Sequence, residues 1–409
     1  MKNRPLHLVC CSLLITTLAS SRTVQAEGGI STDGTAGAAQ TLSGSQVTIP
    51  QDLGTTVGGN LFHSFDQFNI NTGQTVTFTE NTPNALNNVI SRVTGGSSSD
   101  INGTLSATPN GHANFYLINP AGIVFGKEAQ IDVAGAFHAS TAKQLNFTDG
   151  GLLNADKIQG SSLSSVEPAN FGFLASSAAN NGLLQIDGAQ LTAKEGQTID
   201  LVARQIDTDH NATLNAPAGE IRLVAMQGAG KVSLDRTAGA LPLPDEMPAT
   251  SNAGNINIHD TDIKTTGNGG GRIGIWGGDV VVSKQSADRK YIDANNIGVQ
   301  NAGALQGIEI KTNNLALNGV AVRAHAQGNG NAGNIRLQSS QDTVLRRGGR
   351  IVSDTFGNIA GNTSNINLST GKDLVIDGLD TPENSITGIR TDASENSTGK
   401  AGDIADAMC

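Results

Sequence analysis

One phrase recurs through the second half of the chain and limits what the chain can fold into: Ala218-Gly-Glu-Ile-Arg-Leu223, Ala253-Gly-Asn-Ile-Asn-Ile258, Ala332-Gly-Asn-Ile-Arg-Leu337, Thr363-Ser-Asn-Ile-Asn-Leu368 and Ala401-Gly-Asp-Ile404. The isoleucines at 221, 256, 335, 366 and 404 are 35, 79, 31 and 38 residues apart, and Gly307-Ile-Glu-Ile310 divides the long interval. Repeats of about 20–50 residues belong to solenoids, and an Ile-x-Ile core with Gly or Asn at the corners predicts a β-solenoid. Each coil buries its apolar positions only when the next coil stacks on it, so Ile and Leu ladders are expected along the axis. A β-sandwich of similar strands is the structural competitor, but it does not require phrases in near-identical words.

Elsewhere the pattern agrees. Gln74–Thr79, Gln130–Val133 and Gly219–Val224 alternate apolar with polar residues, as strands with one buried face do. Asn102-Gly103, Asp149-Gly150, Asp187-Gly188 and Gly267-Asn268 mark sharp turns. Aromatic residues make up only 3% of the chain, a level at which disorder is a concern, yet Ile, Leu and Val recur in short alternating runs.

The N-terminus sets the compartment. Lys2 and Arg4 precede an apolar stretch over Leu8–Leu18, and Val24-Gln25-Ala26 has the small-x-small spacing of a signal-peptidase site, so residues 1–26 read as a signal peptide cleaved after Ala26. Cleavage removes three of 26 basic residues (Lys2, Arg4, Arg22) and none of 36 acidic ones, which leaves a net charge of −13. That balance argues against nucleic acid and anionic membrane surfaces as partners. Cys10 and Cys11 leave with the signal and only Cys409 remains, so stability must come from a continuous core and hydrogen-bond ladder without any intramolecular disulfide. The chain stops just after a new phrase has begun, which suggests a solenoid cut short.

Between residues 59 and 174 the sequence becomes specific: Gly59-Asn-Leu-Phe-His-Ser-Phe-Asp-Gln-Phe-Asn-Ile70, Ile90-Ser-Arg-Val-Thr-Gly-Gly96, Ile101-Asn-Gly-Thr-Leu105, Phe115-Tyr-Leu-Ile-Asn-Pro-Ala-Gly-Ile-Val-Phe-Gly126, Phe137-His-Ala-Ser-Thr141 and Phe171-Gly-Phe-Leu174. These phrases, in this order, resemble the haemagglutination activity domain of filamentous haemagglutinin-like exoproteins. Asn119-Pro120-Ala121-Gly122-Ile123 resembles that family's Asn-Pro-Asn-Gly-Ile motif, with Ala121 replacing the middle Asn. The family's Asn-Pro-Asn-Leu motif has only Thr82-Pro83-Asn84-Ala85-Leu86 as its nearest counterpart. The resemblance implies a right-handed parallel β-helix with an N-terminal cap, and export by two-partner secretion through an outer-membrane β-barrel transporter with periplasmic domains. The expected layout is a secretion domain over 27–250, capped by 27–58, with further coils over 251–409. An adhesin-type role is implied, with a host or cell-surface glycan or protein as a further partner.

For Asn119–Ile123 two roles are open. Pro120 fixes φ, Gly122 permits a corner, and Asn119 can bond its own backbone two residues on, all of which make a structural turn. The alternative is direct contact with the transporter. A β-helical polysaccharide-degrading enzyme is the rival function, with Asp260, Asp262 and Asp279 as its candidate carboxylates. No cofactor or metal is expected. Gly269, Gly271 and Gly274 form a Gly-x-Gly-x-x-Gly string followed by what reads as strand and turn where phosphate binding needs a helix. Asp207-Thr-Asp209-His-Asn211 opens like a calcium loop but has Ala212 and Ala218 where Gly and Glu belong; scattered surface Asp and Asn remain available to calcium. His63, His138 and Trp276 read as packing residues, and Arg346-Arg-Gly-Gly-Arg350 as a basic turn able to attract an acidic glycan or phosphate.

Overall fold

The computed structural model describes residues 29–156, 159–175, 182–246, 252–383 and 385–408. Residues 1–26 and the cleavage point after Ala26 lie outside the described residues. The chain is a right-handed parallel β-helix. Its coil strands stack along three faces joined at tight corners, the third face being divided between two sheets, Gln46–Pro50 to Gln130–Asp132 and Gln190–Thr192 to Gly388–Asp392, and the described residues contain no α-helix. None of their helical turns is long and apolar enough to cross a membrane.

The first ladder runs through Asn60–Phe68, Asn88–Val93, Asn114–Ile118, Phe137–Ser140, Thr198–Ala203 and Glu220–Ala225. It continues in Arg272–Ser283, Gly307–Asn318, Asn334–Ser339 and Ile366–Thr370, all parallel. Its inward residues stack as Leu61, Val89, Phe115, Phe137, Ile199, Ile221, Ile273, Ile308, Ile335 and Ile366, each at most 2% exposed. Burying such a side chain is worth about 1.5–3 kcal/mol, so this column is a main source of cohesion.

The structure corrects one reading of the repeats. Ile221, Ile335, Ile366 and Ile404 share this ladder, but Ile256 stands on the second face, between Ile206 and Val280, and Ile273 occupies the first-face position instead. The phrase recurs on both faces because its glycine answers a corner constraint. A Cβ on Gly219 would lie 2.0 Å from the Gln197 carbonyl oxygen, and one on Gly254 1.7 Å from that of Arg204. Wherever the preceding coil's carbonyl crowds a corner, glycine comes before the strand. Asparagines serve the same corners as donors and acceptors. Asn296 Oδ1 accepts from the Gly269 and Gly298 amides, and Asn331 Oδ1 from the Asn362 amide of the next coil.

An N-terminal cap is present, but it does not run through 27–58, because Gln46–Pro50 already stacks parallel on Thr75–Thr79 as a coil strand. Ile30–Thr32 and Thr55–Val57 pair antiparallel with Asn60–Phe68 and cover an edge that would otherwise be open to another chain. Arg92, 4% exposed, ties cap to coils by donating to Ser64 Oγ (2.7 Å) and Thr35 Oγ1 (2.9 Å).

The widest steps along the first ladder, Phe137 to Ile199 and Ile221 to Ile273, contain an element the sequence did not announce. Gln144–Phe147, Leu152–Asn154, Pro168–Phe173 and Gly230–Ser233 form a four-stranded antiparallel sheet outside the helix. It packs over the outward residues of the first ladder and closes a second core of Phe62, Ile90, Tyr116, Leu145, Phe171, Val232 and Trp276. All three ladders continue without a break across residue 250.

Candidate functional site

Asn119–Ile123 forms the corner between the first and second faces. Asn119 is fully buried, and its side chain has all its partners inside the protein. Nδ2 donates to the Ser97 carbonyl and Ser99 Oγ (both 3.0 Å), while Oδ1 accepts from the Ala121 amide (3.0 Å). Gly122 adopts φ +130°, and a Cβ there would come within 3.1 Å of the Leu183 carbonyl oxygen. Ile123 starts the second-face strand, in register with Ser99 and Leu184. Pro120 and Ala121 are half-buried and line a hollow of about 210 Å³ with Gly96, Lys143, Asp156 and Arg204. Lys143 and Asp156 pair at 3.4 Å on its wall. The five residues thus divide: Asn119, Gly122 and Ile123 shape the corner, and Pro120 and Ala121 present it.

Behind the second core lies a buried polar chain that alternation alone did not reveal. His138, Asp200 and Arg222 are outward residues on successive first-ladder strands. Asp200 Oδ2 lies 2.8 Å from His138 Nδ1, and Arg222 grips the carboxylate through Nε (2.7 Å) and Nη2 (2.9 Å). Arg222 Nη1 donates to the Ser233 and Pro242 carbonyls, which joins coil to outer sheet. Tyr116 stacks on His138 at 4.3 Å. Burial would raise the Asp200 pKa, but Arg222 and His138 outweigh it and bring it to about 2. Burial also pushes His138 down, in spite of Asp200. His138 is therefore a packed, hydrogen-bonded histidine.

His63 lies inside the helix against Phe65 and Phe78. Burial lowers its pKa from 6.5 to about 4, opposed only by the Leu53 backbone. A histidine depressed in the folded state contributes stability above its unfolded pKa and loses it as pH falls. The window here runs from 6.5 down to 4, with about 3 kcal/mol at stake. Melting temperature is expected to fall across that window, and more gently in His63→Leu. Identical slopes for the two proteins would remove His63 as the cause.

The carboxylates of the enzyme reading do not converge. Asp260 sits at a corner with φ 41°, its Oδ1 accepting from the Gln285 and Ser286 amides and Ser286 Oγ. Asp262 is on the third face and accepts from the Tyr291 amide (2.9 Å), whereas Asp279 begins a second-face segment and accepts from Asn314 Nδ2 (2.8 Å). Asp209, His259 and Asp260 bring potential metal-ligand atoms within 4.8 Å of one another, a grouping made by coil register and invisible in sequence. The Asp207–Asn211 stretch is a turn only at its end: Asp207–Asp209 belong to the strand Gln205–Asp209, and His210 and Asn211, both at positive φ, make the turn. Gly274 lies within the strand Arg272–Ser283, which runs on where phosphate binding needs a helix. Trp276 is 3% exposed and donates to the Glu246 carbonyl (3.0 Å), a packing role.

Residues 28–282 match the family model of the TPS (two-partner secretion) secretion domain. The chain belongs to this family. The TPS secretion domain match takes in the cap, the Asn119–Ile123 corner, the outer sheet and the His138–Asp200–Arg222 chain. Members of the family are secretion domains of exoproteins that cross the outer membrane through a partner transporter. A heme/hemopexin-binding protein of Haemophilus influenzae is 36% identical over 115 residues, which is 28% of this chain and 11% of that protein. Two solved structures are similar at 17% identity. The HMW1 secretion domain from Haemophilus influenzae has a TM-score of 0.48, covering 93% of this chain and 98% of that one. The filamentous hemagglutinin secretion domain has a TM-score of 0.33, covering 86% and 100%.

Proposed function

We propose that this TPS secretion domain is led to the periplasm by a signal peptide cleaved after Ala26. There, residues 27–250 are recognised by an outer-membrane β-barrel transporter with periplasmic domains, and residues 251–409 follow as further coils of a surface-exposed, adhesin-type exoprotein that engages a host or cell-surface glycan or protein. The transporter is offered the corner at Asn119, Pro120, Ala121, Gly122 and Ile123. The carrying observation is the internal hydrogen bonding of Asn119, which leaves the half-buried Pro120 and Ala121 as the residues a rigid turn presents at the hollow. Asn119 acts by positioning them. The relative named for heme and hemopexin matches over too short a stretch to carry its ligand across.

Secreted yield and melting temperature of purified protein, measured with the transporter co-expressed, test this reading. Asn119→Gly loses three hydrogen bonds and should cost about 1–3 kcal/mol, with secretion falling in step with stability. Gly122→Val should damage folding itself, since a β-branched residue resists φ +130°. Ala121→Glu should melt as the wild type does, yet be secreted at a small fraction of its yield. Normal secretion of Ala121→Glu would reduce the motif to architecture. Exported protein should begin at Glu27.

A further inference from the structure

We propose that a cleft on the third face, lined by Arg289, Tyr291, Arg323, Arg350, Phe356 and Arg390, binds an acidic saccharide through the sugar's carboxylate or sulfate group. The cleft lies wholly beyond the family match at 28–282. The inference rests on the adhesin reading for the source of the ligand, while the site stands on its own geometry.

Coil stacking assembles the cleft. Tyr291 pairs with Ala321 and Ala321 with Arg350; Asp293, Arg323, Val352 and Arg390 stand in register one coil after another. Four guanidinium groups therefore converge on a chain whose net charge is −10. Two have carboxylate partners. Arg323 holds Asp293 through Nε (3.1 Å) and Nη2 (2.6 Å), and Arg390 holds Asp354 through Nε (3.2 Å) and Nη2 (2.5 Å). Arg323 also lies 3.4 Å from the centroid of the Tyr291 ring, which fixes it further. Arg289 and Arg350 make no ion pair among the described residues. Arg350 is steered by the Gly348 carbonyl and Ser385 Oγ, each at 3.2 Å. Two arginine charges are thus left uncompensated in one cleft, in the forked geometry that suits an oxyanion.

Other groups do not cancel that charge. Burial, then Arg323, Arg390 and Arg350, drives His325 down to about 3, so it is neutral and accepts the Asp354 amide at Nδ1 (2.8 Å). Burial and the neighbouring Arg289, Arg323 and Arg390 lower Arg350 as well, a repulsion that a bound anion relieves.

The rest of the lining suits a sugar ring. Phe356 is 50% exposed and lies perpendicular to His325 (5.0 Å, 87°), so about half of the side chain is open to the apolar C–H side of a pyranose. The hollow, about 280 Å³, lies at the small end of ligand pockets, room for a terminal sugar or one residue of a chain. A polyphosphate backbone would bring much more negative charge against an acidic protein.

Calorimetric titration of the full chain with digalacturonic acid and a heparin disaccharide, against cellobiose and sodium sulfate, tests the proposal. Both acidic disaccharides should bind and raise the melting temperature, and cellobiose should not. Arg289→Glu makes no contact that folding needs, so it should keep its melting temperature and weaken both acidic ligands about tenfold. Phe356→Ala should weaken the disaccharides while leaving sulfate unaffected. Binding of cellobiose as tight as the acids, indifference to Arg289→Glu, or sulfate binding equal to the disaccharides would each overturn it. Arg289→Glu should still be exported normally, so a failure here is separable from a failure of the secretion reading.

Discussion

Asp200→Ala is expected to destabilise the protein by about 3–5 kcal/mol, because it leaves Arg222 charged and fully buried without its counterion. Arg222 cannot swing into water, since its Nη1 stays bound to the Ser233 and Pro242 carbonyls. His138 loses its Nδ1 partner as well. Replacing Asp200 and Arg222 together by apolar residues of similar volume should recover much of the loss, since removing both charges removes the desolvation debt. Urea midpoints for the single and double variants decide it. A loss below about 1 kcal/mol for Asp200→Ala would mean that water reaches the pair.

Ile335→Asp and Ile256→Asp should each cost several kcal/mol by forcing a carboxylate into an apolar column. Both isoleucines are fully buried, but on different faces: Ile335 between Ile308 and Ile366, Ile256 between Ile206 and Val280. Coils contact mainly their neighbours, so the damage should be local. Hydrogen exchange should show coils around 308–370 opening in Ile335→Asp while the cap and the coils near Leu61 stay protected. In Ile256→Asp the opening should centre on 206–283. Uniform loss of protection in both variants would show that the solenoid unfolds as one unit.

Much of the fold could be read from the chain, because a β-helix writes its stacking into short apolar alternations and corner glycines. The reading erred where one local rule serves two places. Gly254 and Gly219 answer the same crowding, so Ile256 looked like a member of the Ile221 column. The outer sheet was not legible because Gln144–Phe147 and Pro168–Phe173 alternate as the coil strands do, and alternation does not say that Phe171 will pair with Val232. Asp200 and Arg222 occupy alternate positions that read as solvent-facing until that sheet covers them. The Asn119–Ile123 turn was legible from Pro120 and Gly122, but the burial of Asn119 depends on Ser97 and Ser99, a coil earlier. Arg346 and Arg350 looked like one basic cluster. The corner at Gly348 and Gly349 separates them, sending Arg346 toward Asp377 (3.6 Å) and Arg350 toward Arg289, Arg323 and Arg390.

The outer sheet also imposes a timetable. Phe62, Ile90 and Tyr116 enter the helix early, yet the residues that shelter their outward side arrive in instalments: Phe147 and Phe171 first, Val232 and Leu243 only after two more coils are laid down. A chain emerging from its N-terminus therefore passes through a stage with a finished interior and one adhesive flank. Such a flank is the kind of surface that draws chaperones or sister chains. Arrival of Gly230–Ser233 against Phe171, followed by Leu243 and Trp276, ends that vulnerable period, so the pace of these late residues governs how long the nascent molecule needs an escort.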